Sequence, residues 1–175
     1  MSAAARQDET ARPLTGITVV EFGTGVASAY CTKLFADMGA NVWRLAADSG
    51  TSERDLGANA PLDPDAPETA GLYAAYLNAG KRCASPDQQL HDVDLVVIGE
   101  DCAAPTCPVR ARVATLSLTW FGTDGPLCRW HGSELAVQAL AGLIHPVGPV
   151  EGPPMYPGPH HATTLAGTSA YVAGM

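Results

Sequence analysis

Hydrophobic residues recur along this chain in two alternating periods. Ile17-Thr-Val-Val-Glu-Phe22 is a short β-branched run of the kind that forms a buried strand, and it opens on Gly23-Thr-Gly25. Ala27, Tyr30, Cys31, Leu34, Phe35 and Met38 then fall at i, i+3, i+4, i+7, i+8 and i+11, one apolar stripe at helical period. Gly39 stands where a helix C-terminus commonly takes a glycine with positive φ. Asn41-Val-Trp-Arg-Leu45 reads as a second strand. Strand, helix and strand within about 30 residues make a βαβ unit, whose right-handed crossover builds parallel sheet.

Residues 46 to 68 are rich in Ala, Asp, Pro and Gly and carry no core-forming period, so they are expected to form a long loop. Leu72, Tyr73, Tyr76 and Leu77 predict a short helix ending at Asn78-Ala-Gly-Lys-Arg82. Val93 to Ile98 and Arg112 to Leu118 predict two more strands, separated by a loop through Pro105 and Pro108. The second runs into Thr119-Trp-Phe-Gly-Thr-Asp-Gly-Pro126, and a helix restarts with Ser133 as N-cap and apolar residues at Leu135, Ala139, Leu140 and Leu143. A strand ending in a glycine-proline loop ahead of a helix is where open α/β sheets place their ligands. Six prolines between 146 and 161 exclude regular structure, and Thr163 to Met175 predicts a last helix. The expected organisation is a disordered leader over residues 1–13, then one domain over 14–175. That domain is α/β and doubly wound, with a mostly parallel, Rossmann-like sheet.

The 175 residues, 46% hydrophobic, are enough to bury a sizeable core. No apolar run approaches the roughly 18 residues a spanning helix requires, so no membrane is expected. A net charge of −8, with only 10 basic residues and no cluster of them, argues against nucleic acid. Cys31, Cys83, Cys102, Cys107 and Cys128 are odd in number and contain no Cys-x-x-Cys pair, so free thiols and a cytoplasmic location are expected, with no metal site. His160-His161 lies in the proline-rich loop with no acidic or cysteine partner nearby in sequence. That points to a solvated loop rather than a metal, although imidazole suits proton transfer if the loop folds over a thioester. His131 is expected to be structural. Gly23-Thr-Gly25 with Ser28 lies near a dinucleotide fingerprint but lacks the third glycine; Arg44 keeps an NADP reading open beside that of a tight βα turn.

The order of these pieces resembles the N-terminal part of the class III CoA-transferases, the group of formyl-CoA transferase, carnitine CoA-transferase and α-methylacyl-CoA racemase. Pro13 to Glu21 looks like that family's opening strand, and Leu34-Phe-Ala-Asp-Met-Gly-Ala-Asn-Val42 like its LADLGADV signature. Asn78-Ala-Gly-Lys-Arg82 is similar to its NRGKRS segment, Thr119 to Pro126 to its TGFGQTGP loop, and Gln138-Ala-Leu-Ala-Gly142 to its QAxSG helix. The resemblance implies coenzyme A, free or as an acyl-CoA thioester, as ligand. It implies CoA contacts at Arg54, Asn78, Lys81 and Arg82 and at the loop residues Phe121, Gly122, Gly125 and Pro126. Lys81 and Arg82 are the cations suited to phosphate.

A family member is about twice this length, has a second, smaller domain bearing a glycine-rich flap, and forms interlocked dimers. This chain is therefore expected to be truncated relative to the family and to associate as a homodimer or with a second polypeptide. The apolar stripe from Ala27 to Met38 and the last helix, around Leu165, Tyr171 and Val172, are the expected contact surfaces. The family's nucleophilic aspartate falls on Thr163, and an alcohol forms an ordinary ester that is a poor acyl donor. The His-Asp pair of the racemase branch falls on Ser133 and Glu134, which leaves Glu134 as the remaining carboxyl. Two readings follow from the resemblance: part of a split or degenerate CoA-transferase or racemase-like enzyme, or a catalytically inactive binding or subunit-interaction domain.

Overall fold

The structure, a computed structural model, describes residues 12–45, 71–84, 90–99 and 109–175. In chain order the elements are β1 (Thr18–Phe22), α1 (Val26–Asp37), β2 (Asn41–Leu45), α2 (Leu72–Asn78), β3 (Arg82–Ala84), β4 (Leu95–Ile98), β5 (Ala114–Ser117), α3 (Glu134–Leu140) and α4 (His161–Ala173). The strands form one sheet in the order β3-β2-β1-β4-β5, and every pairing is parallel. This is the α/β architecture that the alternation of periods predicts.

The central strands are covered on both faces, which is why β1 and β4 read as continuous apolar runs. On one face Val19, Val42, Leu95 and Val97 pack under Cys31 and Phe35 of α1, joined by Ala170 and Tyr171 of α4. On the other, Val20, Phe22, Leu45, Val96 and Ile98 meet Val93, Leu90, Val109 and Ala111. The strand missing from the sequence reading is β3. It is three residues long, lies at an edge, and begins on an exposed arginine, so no alternation marks it. Its register comes from β2, with Trp43 opposite Arg82. Arg12, placed in the leader by the sequence, packs on Gly39, while Leu14 N–H donates to the Met38 carbonyl at 3.0 Å. Residues 1–11 of that expected leader, and the long loop expected at 46–68, lie outside the described residues.

α4 runs beside α1 in the same direction. Gly167 faces the start of α1, where an added Cβ would lie 2.6 Å from the Ala27 carbonyl oxygen, and Tyr171 meets Phe35 edge-on at 4.8 Å further along. The apolar stripe of α1 is thus largely core rather than contact surface, and Tyr171 turns inward with it. Leu165 and Val172 are the large apolar residues that α4 leaves exposed. On α3 the polarity runs against the apolar pattern: Leu135 and Leu140 are exposed, and the buried residue is Gln138.

Candidate functional site

Strand order reverses at β1, with β2 on one side and β4 on the other, so the ligand crevice of this topology lies at the carboxyl ends of β1 and β4. The chain is tight there. Gly23 (φ +93°) and Gly25 (φ +141°) turn β1 into α1, and Gly99, just past β4, lies against the Thr24 carbonyl with no room for a Cβ. Because α4 runs parallel to α1, its first turn projects at this same edge of the sheet.

That first turn collects most of the polar side chains of interest. His160, the N-cap residue, holds φ +67° and offers no side-chain cap. Glu134 supplies one instead. The Ala162 N–H donates to its Oε1 at 2.5 Å and the Thr163 N–H to its Oε2 at 3.2 Å. Ser133 fixes the start of α3, accepting from Ala136 N–H at 3.3 Å as its sequence position predicts, and so delivers Glu134 to α4. Gln138, wholly buried, donates through Nε2 to Glu134 Oε1 at 2.7 Å and to the Gly158 carbonyl at 3.2 Å. Burial pushes the Glu134 pKa up, but donation from Gln138, Ala162 and Thr163 outweighs it and holds the carboxyl below its ordinary range. Glu134 is therefore an ionised, fully engaged cap. Such a carboxylate is a poor proton acceptor, so the geometry gives it a structural duty in place of the catalytic one the sequence offered.

Thr163 is 6% exposed, and Gln138 Oε1 is buried without a hydrogen-bond partner. The His160 ring stacks on Tyr73 of α2 with centroids 4.9 Å apart. Burial lowers the His160 pKa, against the opposing pull of Glu134, and raises that of Tyr73, against a hydrogen bond with Thr164. Sequence reasoning missed Tyr73 and Gln138 as site residues. The signal for Gln138 was a lone amide on an otherwise apolar helix.

The basic pair at the end of α2 splits. Lys81 turns inward, its side chain without solvent exposure, and donates to Glu21 Oε2 at 2.8 Å and to the Ala29 carbonyl at 2.7 Å. Thr32 Oγ1 donates to the same carboxylate oxygen at 2.7 Å, and Arg44 Nε approaches it at 3.9 Å. Burial lowers the Lys81 pKa, with Glu21 opposing. The expectation that Lys81 meets a phosphate is thus corrected: a buried acid in β1 has claimed it. Arg82 remains exposed, its guanidinium 5.4 Å over the Trp43 ring. Asn78 Oδ1 is buried without a partner beside this junction, and Arg54 lies outside the described residues.

Phe121, Gly122, Gly125 and Pro126 follow β5 at the opposite flank. Gly122 and Gly125 hold φ of +88° and +92°, and Gly122 N–H donates to Thr119 Oγ1 at 2.8 Å, closing the turn. Three strands separate β5 from β3, so this loop and Arg82 lie about 20 Å apart at ordinary strand spacing. They do not form one small pocket. Among the described residues no three His, Cys, Asp or Glu side chains gather closely enough to hold a metal, and no helix is long and apolar enough to cross a membrane.

The family model for CoA-transferase family III matches residues 14–89 and 108–175. The chain belongs to that family. This family III domain is 30% identical over 143 residues to the succinyl-CoA:(R)-benzylsuccinate CoA-transferase subunit BbsE of Thauera aromatica, covering 69% of this chain and 34% of that one. It is 27% identical over 170 residues to the succinate–glutarate CoA-transferase of Agrobacterium fabrum, covering 83% of this chain and 42% of the relative. In fold it resembles the crystal structure of a CAIB/BAIF family protein from Brucella suis, with TM-score 0.72 at 19% identity over 93% of this chain and 48% of the other. The chain spans less than half the length of the curated relatives it matches.

Proposed function

We propose that this family III domain binds coenzyme A or an acyl-CoA thioester across the carboxyl edge of its sheet, as one part of a CoA-transferase-like assembly. The observation that carries the reading is the family match running through the sequence signatures, four of which fall on strands or helices of the fold and the fifth, Thr119 to Pro126, on the loop after β5. An extended ligand suits the geometry, because the Phe121–Pro126 loop and the α4 first turn lie towards the carboxyl edge, while the exposed Arg82 opens the far edge strand, level with Trp43. The phosphate contact falls to Arg82 alone of the basic pair. Arg54, outside the described residues, remains a CoA contact in this proposal, as does Asn78, whose side-chain oxygen is buried without a partner. The protein is proposed to be cytoplasmic.

Thr163 favours a second reading for catalysis, in which the aspartyl route of the family is absent and the domain binds without transferring. The outward faces of α4, at Leu165 and Val172, and of α3, at Leu135 and Leu140, suit a homodimer or a second polypeptide. Calorimetry with CoA tests the binding: a heat that shrinks with added salt and on Arg82→Ala is expected, since phosphate contacts are screened. No heat at millimolar CoA refutes it. Light scattering tests the association, which a monomer at tens of micromolar concentration refutes.

A further inference from the structure

We propose that His160 is the general base of a thioester hydrolysis carried out at the first turn of α4. The inference rests on the CoA-thioester reading and assigns it a reaction. Among the described residues only Asp92 and His160 hold positive φ without being glycine. A side chain held in that conformation persists where its surroundings over-determine it, and such positions concentrate at functional sites. Here the surroundings are specific. Glu134 takes over the capping of α4, donating nothing and accepting from Ala162 and Thr163, so the imidazole is not consumed in holding the helix. The ring is instead oriented by its stack on Tyr73 and stays partly exposed at the ligand edge of the sheet.

The charged and titratable groups around it are few. Glu134 faces it from α3, Tyr73 from α2, and His161 follows it on α4, exposed. Burial outweighs the pull of Glu134, so the imidazole is the neutral, proton-accepting form at pH 7. Three residues on, the family nucleophile is replaced by Thr163, whose ester would not pass an acyl group forward. Water is then the acceptor left to a bound thioester. His160 takes a proton from water as the water oxygen bonds to the thioester carbonyl carbon. The tetrahedral oxyanion collapses with loss of the carbon–sulfur bond, and the imidazolium returns its proton to the departing thiolate. The products are the free carboxylic acid and the CoA thiol.

The test uses the whole chain with acetyl-CoA as probe, following loss of the thioester absorbance, with acetyl-CoA binding measured separately by calorimetry. His160→Gly is the informative variant, because glycine accepts φ +67° without strain and folding is checked by circular dichroism. The expected result is hydrolysis above buffer that falls about 100-fold in His160→Gly and is restored by added imidazole. The pH profile should rise through a value below the ordinary histidine range. Bound acetyl-CoA that the wild-type chain hydrolyses no faster than buffer overturns the inference alone. So does a His160→Gly chain that keeps the wild-type rate, or one that imidazole fails to rescue. Absence of acetyl-CoA binding overturns the CoA reading and this inference with it.

Discussion

Replacing Lys81 by methionine separates two roles that the sequence alone leaves superimposed. In the structure Lys81 Nζ lies 2.8 Å from Glu21 Oε2, with the carboxylate 3% exposed and the ammonium not exposed at all. Methionine fills much of the same volume but leaves Glu21, among the described residues, with Thr32 and the distant Arg44 as compensation. Breaking a buried ion pair from one side costs about 3–5 kcal/mol, against a total stability of about 5–15 kcal/mol for a domain. For a chain of this size each kcal/mol moves the midpoint by roughly 2–4 °C, so a fall of about 6–20 °C is expected. The double variant Glu21→Leu with Lys81→Met should recover most of it, since two apolar groups leave no stranded charge. Circular dichroism melts and urea titrations give both numbers. A Lys81→Met chain that melts within about 2 °C of wild type while losing CoA affinity would refute the buried-pair argument and return Lys81 to the ligand.

Three further outcomes follow from the packing. Glu134 has a folded-state pKa below its ordinary 4.5, so its stabilising cap is fully present above that value and is lost as pH falls through the lower, folded one. Glu134→Gln should therefore melt less steeply with acid than wild type, and lie about 1–3 kcal/mol below it at neutral pH, measured by urea titration across pH 2 to 7. Gly167→Val places side-chain atoms where Cβ alone would be 2.6 Å from the Ala27 carbonyl, forcing α4 off α1; a loss of about 1–3 kcal/mol is expected, and a melt unchanged from wild type contradicts the close contact. Burial, with Glu21 adding to it and Lys81 opposing, pushes the Cys31 thiol up to about 12. At pH 8 iodoacetamide should label the exposed Cys83 and Cys128 and spare Cys31 in the folded chain, as peptide mass spectrometry would show.

The fold was legible because its central strands and α1 obey single periods. Asn41–Leu45 is a strand with the bounds its sequence implies, and Cys31 and Phe35 of the predicted stripe pack on the sheet. β3 was not legible, since three residues at an edge carry no period and owe their strand conformation to β2. The site was only partly legible. Ser133 was readable as a cap because its hydroxyl acts within its own helix. Glu134 was not, because the N–H groups it receives belong to a helix 28 residues further on. Lys81 was misplaced for a similar reason: its sequence neighbours are glycine and arginine, whereas its energetic partner, Glu21, lies 60 residues back in an apolar strand. A charge inside a β-branched run is the one sequence mark of that pair.

The central claim is that the carboxyl edge of this family III sheet receives coenzyme A. The most direct measurement is a titration of the 15N-labelled chain with CoA, followed by amide resonances. The account predicts concentration-dependent shifts at Phe121, Gly122, Gly125 and the first turn of α4, and at Arg82 on the flanking edge strand, with Asn41 and Leu95, inside the sheet at its amino end, unmoved. A spectrum unchanged at millimolar CoA, or shifts confined to the amino edge of the sheet, would contradict it.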